Sequence, residues 1–351
     1  MKKLYTLLSV SVLLSLGATA APVKVARHAA GANAPVVLPA TDVTATSFTA
    51  NWKPFAGADL YQVTCYEPIK VSKAGTHTIL SESFDMVKLG TFQSPEAYAD
   101  MYVDLDDLDM VSTPDWGASL PVFAAGMVSG IVYSPYIDLT NNDGKFTIHL
   151  GLCGYSGGMV RIESHGTDVQ TKDVTLTTTG YNTFDLEFTN GVHDTFITVT
   201  DYGQANDTEG LYADYYDFLD DITITQELQA GDTYLRLIEY FETEEGSGVT
   251  SHTFSDMKYL NSAPEVAYDV MAISVYYPDP EDPYDYDITY SPFSALERVS
   301  LRNGIADIDA DAPADAPALW FNLGGMQIDD HSAPGIYIRR QGNTATKVVV
   351  K

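Results

Sequence analysis

The sequence predicts an all-β protein assembled from β-sandwiches, and three observations carry that prediction. Between residues 36 and 305 no segment repeats apolar residues at helical spacing; short alternating runs recur instead, bounded by Gly, Asn, Asp and Pro. The 351 residues include 23 Tyr, 26 Gly and 17 Pro, a composition that suits sandwiches with many turns. Only two cysteines occur, Cys65 and Cys153, so neither a disulfide framework nor a multi-cysteine zinc or iron–sulfur centre organises the fold. The length allows two or three domains, each able to bury a core. The net charge of −29 repels phosphate, which excludes nucleic acid and an anionic membrane bound through a basic patch. Hydrophobic residues at 45% are too many for a disordered acidic chain.

Residues 1–20, MKKLYTLLSVSVLLSLGATA, have the form of a signal peptide: Lys2 and Lys3, an apolar stretch from Leu4 to Leu16, and an Ala18-Thr19-Ala20 cleavage site. That stretch is short of the ~20 apolar residues a membrane span needs. The expected location is therefore extracellular or on the outer cell surface, with no transmembrane segment once the signal is removed. Residues 21–35 are an Ala-rich leader without a strand pattern.

From residue 36 the elements are strands. Phe48 and Trp52 lead into a run ending Tyr61-Gln62-Val63. In the middle, Phe146, Ile148, Leu150 and Leu152 share one strand face and Thr147, His149 and Gly151 the other; Phe184, Leu186 and Phe188 alternate with Asp185 and Glu187. Further strands are expected at 159–163, 174–178, 195–200 and 218–225. Residues 306–318, ADIDADAPADAPA, form a solvated, self-repelling linker. Beyond it lie three short β-segments, separated by Gly324-Gly325, Pro334-Gly335 and Gly342-Asn343.

Three parts carry family resemblances. Thr46-Ser47-Phe48-Thr49-Ala50-Asn51-Trp52 with the downstream Tyr61-x-Val63 resembles strands B and C of a fibronectin type III domain, with Trp52 as core tryptophan. Its missing half is expected at Thr250–Phe254, Tyr268–Ile273 and Ser291–Ser294. Either residues 36–80 and 227–305 form one such sandwich interrupted by residues 81–226, or two degenerate modules flank the middle one. The middle segment opens with Glu82-Ser83-Phe84, continues through Trp116 and Ser134–Leu139, and closes with Asp220–Ile224. That ordered set resembles the jelly-roll domains of Bacteroidetes surface proteins, including cleaved-adhesin and carbohydrate-binding-like modules. The resemblance implies a surface binding module, often one holding structural calcium. Residues 319–351, with Trp320-Phe321-Asn322-Leu323, Gly335-Ile336-Tyr337-Ile338 and Lys347–Lys351, resemble the C-terminal sorting domains of type IX secretion. That implies a secretion machinery as partner.

The chemistry legible in the sequence is sparse. Gly154-Tyr155-Ser156-Gly157-Gly158 matches G-x-S-x-G, but a strand-like run follows it where a nucleophile elbow needs a helix; a hairpin turn accounts for the glycines. The seven His are scattered, without a zinc-hydrolase spacing, and no catalytic residue is expected. With Phe84, Ile222 and Ile224 inward, alternation sends Glu82 and Asp220 to the same inner face. A core-facing carboxylate is costly unless paired or metal-bound, so a structural calcium is expected on Glu82 and Asp220, with Asp138 and Asp143 as further ligands; the alternative is that both carboxylates lie at strand ends in water. Tyr202, Tyr212, Tyr215 and Tyr216 cluster in DYGQANDTEGLYADYYDFLDD, where rings and carboxylates suit a sugar; the alternative is a strand edge packing on its own sandwich. The expected function is binding of a glycan or an extracellular protein, as an adhesin does. A structural surface subunit and a cryptic hydrolase are the competing readings.

Overall fold

The computed structural model describes residues 34–98, 102–204, 216–255, 265–278, 287–301, 318–321, 327–328, 335–341 and 344–350. Every regular element among them is a strand apart from one 3-10 turn at Asn142–Gly144, and no helix is long and apolar enough to cross a membrane. In chain order the strands are β1 (Val37–Thr41), β2 (Ser47–Trp52), β3 (Leu60–Lys70), β4 (Gly75–Glu82), β5 (Glu96–Ala97), β6 (Tyr102–Asp104), β7 (Gly117–Ala124) and β8 (Met127–Tyr133). They continue with β9 (Phe146–Gly154), β10 (Gly158–His165), β11 (Val169–Thr175), β12 (Gly180–Phe188), β13 (Phe196–Gln204), β14 (Phe218–Leu228), β15 (Thr233–Glu242) and β16 (Ser251–Ser255). The last are β17 (Glu265–Tyr276), β18 (Asp287–Tyr290), β19 (Glu297–Ser300), β20 (Leu319–Phe321), β21 (Gln327–Ile328), β22 (Gly335–Gln341) and β23 (Thr344–Val350).

Residues 37–70 and 233–300 fold together around the segment between them. A three-stranded sheet β1-β2-β16 faces a five-stranded one in which β3 lies between β15 and β17, with β18 and β19 on β17. Both sheets pair strands from before residue 71 with strands from after residue 232. Their inward residues make one core. Phe48 lies against Phe254 and Tyr268, with ring centroids 5.3 and 5.7 Å apart, and Trp52 meets Tyr61 at 5.5 Å. Where the chain leaves and re-enters, the amide of Val71 donates to Asp232 O (2.8 Å) and that of Gly231 to Val71 O (2.9 Å). Adjacent crossing points of this kind are what an inserted unit needs.

The inserted unit is itself a sandwich. Its sheets run β4-β14-β9-β12 and β8-β13-β10-β11, with β7 on β8. From β8 onward every connection except the β10–β11 hairpin crosses between the sheets, the double Greek-key order of a jelly roll. The sheets touch at one corner, where β14 pairs β8 at Leu219–Val128. The expected alternation on β9 is present: Phe146, Ile148, Leu150 and Leu152 are buried with Ile222 and Ile224 of β14, Phe188 of β12 and Val160 and Ile162 of β10. Full burial of each such side chain is worth about 1.5–3 kcal/mol. The G-x-S-x-G segment is a correction to the sequence reading. It links β9 to β10, but β9 pairs only β12 and β14, and β10 only β11 and β13. It is a tight corner between sheets, not a hairpin.

Residues 1–33 and 302–317, where the signal, most of the leader and most of the linker are expected, lie outside the described residues. The C-terminal strands form a separate four-stranded sheet, β21-β20-β22-β23, in which Ile336 faces Val349 and Tyr337 faces Val348.

Candidate functional site

The four carboxylates expected on an ion have different fates. Glu82 is buried, 3% exposed, as alternation requires. Its Oε1 accepts from the amides of Ser83 (3.1 Å) and Phe84 (3.3 Å), and its Oε2 from the amides and hydroxyls of Ser112 and Thr113 (2.8–3.2 Å). Thr113 Oγ1 in turn accepts from Trp116 Nε1 (2.8 Å). Protein donors thus hold this charge, and the loop that supplies them packs Trp116 edge-on against Phe84. Asp138 accepts from Thr140 on one oxygen and from the Leu235 amide (3.1 Å) on the other, tying the insert to β15. Asp143 is exposed in the 3-10 turn, at φ 52°. Asp220 sits where the β14 register on β9 jumps from Leu219 to Asp221. A bulge leaves it without an opposite residue and half-buried. Burial, then the charges of Asp221 and Asp85, raise its pKa. Among the described residues no three His, Cys, Asp or Glu side chains are gathered as a metal site.

Of the four tyrosines expected at a sugar site, two are among the described residues. Tyr212 and Tyr215 lie outside the described residues. Tyr216 packs inward with Phe218, Phe92 and Met127. Tyr202 is 54% exposed on the β8-β13-β10-β11 sheet. Arg161 lies over its ring, 4.9 Å from the centroid, and also grips Asp173 with two hydrogen bonds of 2.7 and 3.0 Å.

The best-ordered polar surface is one that sequence reasoning did not single out, the outward face of β4-β14-β9-β12. Cross-strand pairing lines up Ser81, Thr223, His149 and Asp185 in one row across all four strands. Ser81 Oγ and Thr223 Oγ1 are 2.9 Å apart; His149 Nδ1 meets Asp185 at 2.7 Å and its Nε2 meets Thr225 Oγ1 at 3.0 Å. The next row is Asp221, Gly151 and Thr183. Gly151 is a floor: a Cβ there would lie 2.1 Å from Asp221 Oδ2 and 2.5 Å from the Tyr181 hydroxyl. Across it Tyr181 donates to Asp221 Oδ2 at 2.6 Å, and its ring stays 53% exposed. That hydrogen bond, then burial, push the Tyr181 phenol up to about 12, so it remains a donor.

His149 between Asp185 and Thr225 has the order of a catalytic triad. Nucleophilic chemistry also needs donors aimed at an oxyanion. The main chains of β9, β12 and β14 here are engaged in strand pairing, and Asp185 is mostly in solvent. The arrangement is a fixed polar lattice that offers acceptors, a few donors and one aromatic face.

Two polar clusters join the sandwiches. His193 of the insert sets Nε2 2.9 Å from Asp269 Oδ2, and Tyr66 donates to Asp269 Oδ1 at 3.3 Å. Burial alone lowers the His193 pKa, but the hydrogen bond and charge of Asp269 outweigh it and the net shift is upward. Nearby, Asp104 on β6 accepts from Tyr240 on β15, with Asp115 and Glu242 close by. Burial, then the charge of Asp104, raise Glu242 to about 7.

No protein-family model matches this chain, and no curated protein matches it in sequence. The functional reading rests on the residues themselves.

Proposed function

We propose that this is an extracellular or surface-anchored binding protein, and that its inserted sandwich recognises a glycan on the outward face of β4-β14-β9-β12. One observation carries the reading: the Tyr181 ring stands half-exposed, pinned to Asp221 over the glycine floor of Gly151. A sugar ring lays its C–H surface on an aromatic face and gives its hydroxyl protons to fixed carboxylates. Tyr181 supplies the first; Asp221 and Asp185 supply the second, already oriented. Asp185, Glu187 and Asp221 disfavour a sulfated or uronic ligand by like charge, so the preferred glycan is neutral. The signal-like N-terminus and the sorting-like C-terminus support an outer-surface address and delivery by a secretion machinery. Recognition, not bond-making, is the function.

A glycan array followed by calorimetric titration of the full chain tests this. Saturable binding to a neutral glycan that weakens at least tenfold in Tyr181→Ala and in Asp221→Ala supports it. Binding that survives both substitutions and disappears in Tyr202→Ala would move the site to the opposite sheet. No binding to any glycan would favour a structural surface subunit.

A further inference from the structure

At the corner where the two sheets of the insert meet, we infer that Asp217 and Asp201 form the core of a hard divalent-cation site, suited to calcium.

Asp217 immediately precedes β14 and is 5% exposed. Its Oδ1 accepts from the Tyr155 amide at 3.3 Å, and the Met159 amide also faces the carboxylate. Its Oδ2 is fully buried and has no hydrogen-bond partner among the described residues. The G-x-S-x-G corner makes the room. A Cβ at Gly154 would stand 2.0 Å from Oδ1, and one at Gly158 would stand 2.1 Å from Oδ2. Both outer glycines of that motif therefore serve a carboxylate, not a nucleophile.

Asp201 is the second acid. Its register partner on β10 is Val160, a core residue. Its Oδ2 accepts from Ser129 Oγ (2.9 Å) and from the Asp217 amide (3.1 Å). Ser129 is itself buried. Burial, then the charge of Asp201, raise Asp217 to about 7. No cationic side chain contributes to that balance. Asp217 and Asp201 share this corner with the Ser129 hydroxyl. An orphan carboxylate oxygen there has two inexpensive solutions, a proton or a metal ion. Calcium takes six to eight oxygens in irregular geometry from carboxylate, carbonyl, hydroxyl and water, whereas magnesium demands a near-octahedral set. With two carboxylates, this place differs from the set of four expected around Glu82.

The test uses the full chain, stripped with EDTA and titrated with calcium chloride, magnesium chloride and terbium chloride at pH 7.5. The expected result is a saturable rise in melting temperature with calcium, roughly 5–10 °C at a hundredfold excess over the dissociation constant. Magnesium gives a smaller rise. Terbium shows tyrosine-sensitised luminescence that calcium displaces. Asp217→Asn and Asp201→Asn lose the calcium rise, and Asp217→Asn is at least as stable as the stripped wild type because it relieves the unbalanced charge. Ser129→Ala, which keeps both acids, weakens calcium several-fold and stands in if an Asn variant fails to fold. No calcium rise in the wild type would mean that a proton satisfies Asp217 and would overturn the inference. So would a rise retained in the variants, which would place the ion elsewhere.

Discussion

The contact that most sharply tests how the two sandwiches are joined is His193 with Asp269. Asp269 is fully buried on β17 of the outer sandwich, and His193 reaches it from the insert at 2.9 Å. Among the described residues only Tyr66, on β3, also donates to that carboxylate, at 3.3 Å. Replacing His193 with Ala leaves a buried carboxylate with one neutral donor. Breaking a buried pair by removing one partner costs about 3–5 kcal/mol. For a body of this size 1 kcal/mol moves the melting point by about 2–4 °C, so His193→Ala should melt roughly 6–20 °C below the wild type. The pH dependence follows from the directions of the shifts. His193 is raised above 6.5, and Asp269 is raised by burial, with His193 and Tyr66 pulling it back only in part. A raised group contributes stability that is complete below its unfolded pKa and is lost as pH rises through its folded one. The difference between wild type and His193→Ala should therefore be largest near pH 6 and shrink as pH climbs past the folded pKa of His193. Calorimetric melts of both proteins at pH 6, 7, 8 and 9 measure it. In a double-mutant cycle with Asp269→Ala, a coupling energy near zero would refute the reasoning, as would a melting point within 2 °C of wild type at pH 6.

Two further predictions concern other carboxylates. Glu82→Ala abandons the amides and hydroxyls of Ser112 and Thr113, at about 1–3 kcal/mol for each of these donors that water cannot reach. Because that loop holds Trp116 through Thr113, near-UV circular dichroism should lose tryptophan structure in the variant; an unchanged spectrum and melt would contradict the role given to Glu82. Glu242→Gln removes a carboxyl that burial and Asp104 hold near pH 7, above its ordinary value of 4.5. That raised group costs stability progressively as pH rises from about 4.5 to 7, so the variant should match the wild type at pH 5 and melt higher at pH 8; equal melts at both would show the carboxyl to be solvated.

What the sequence discloses and what it hides divide along the range of the interaction. Alternation on β9 and β12 is local, so Phe146 through Leu152 and Phe184 through Phe188 could be assigned to faces from the chain alone. The inward direction of Glu82 followed from the same period of two. Its partners did not: Ser112 and Thr113 lie about thirty residues away on a loop without a pattern. The single extra residue at Asp220 defeats period-two reasoning altogether, because a bulge changes which face every preceding side chain meets and has no signature in composition. His193 and Asp269 are 76 residues apart in different sandwiches, and neither has a neighbour in sequence that marks it. The glycines of the G-x-S-x-G corner were visible, but a missing Cβ reports only that something comes close. That the neighbour is the Asp217 carboxylate, more than fifty residues on, is a property of the closed sandwich. In an acidic chain with few cations this distinction decides function. The local pattern says that a carboxylate is buried, and only the packed structure says whether amides, an imidazole or nothing yet present balances it. Glu82 has the first, Asp269 the second, and Asp217 is the place where the balance stays open to a ligand.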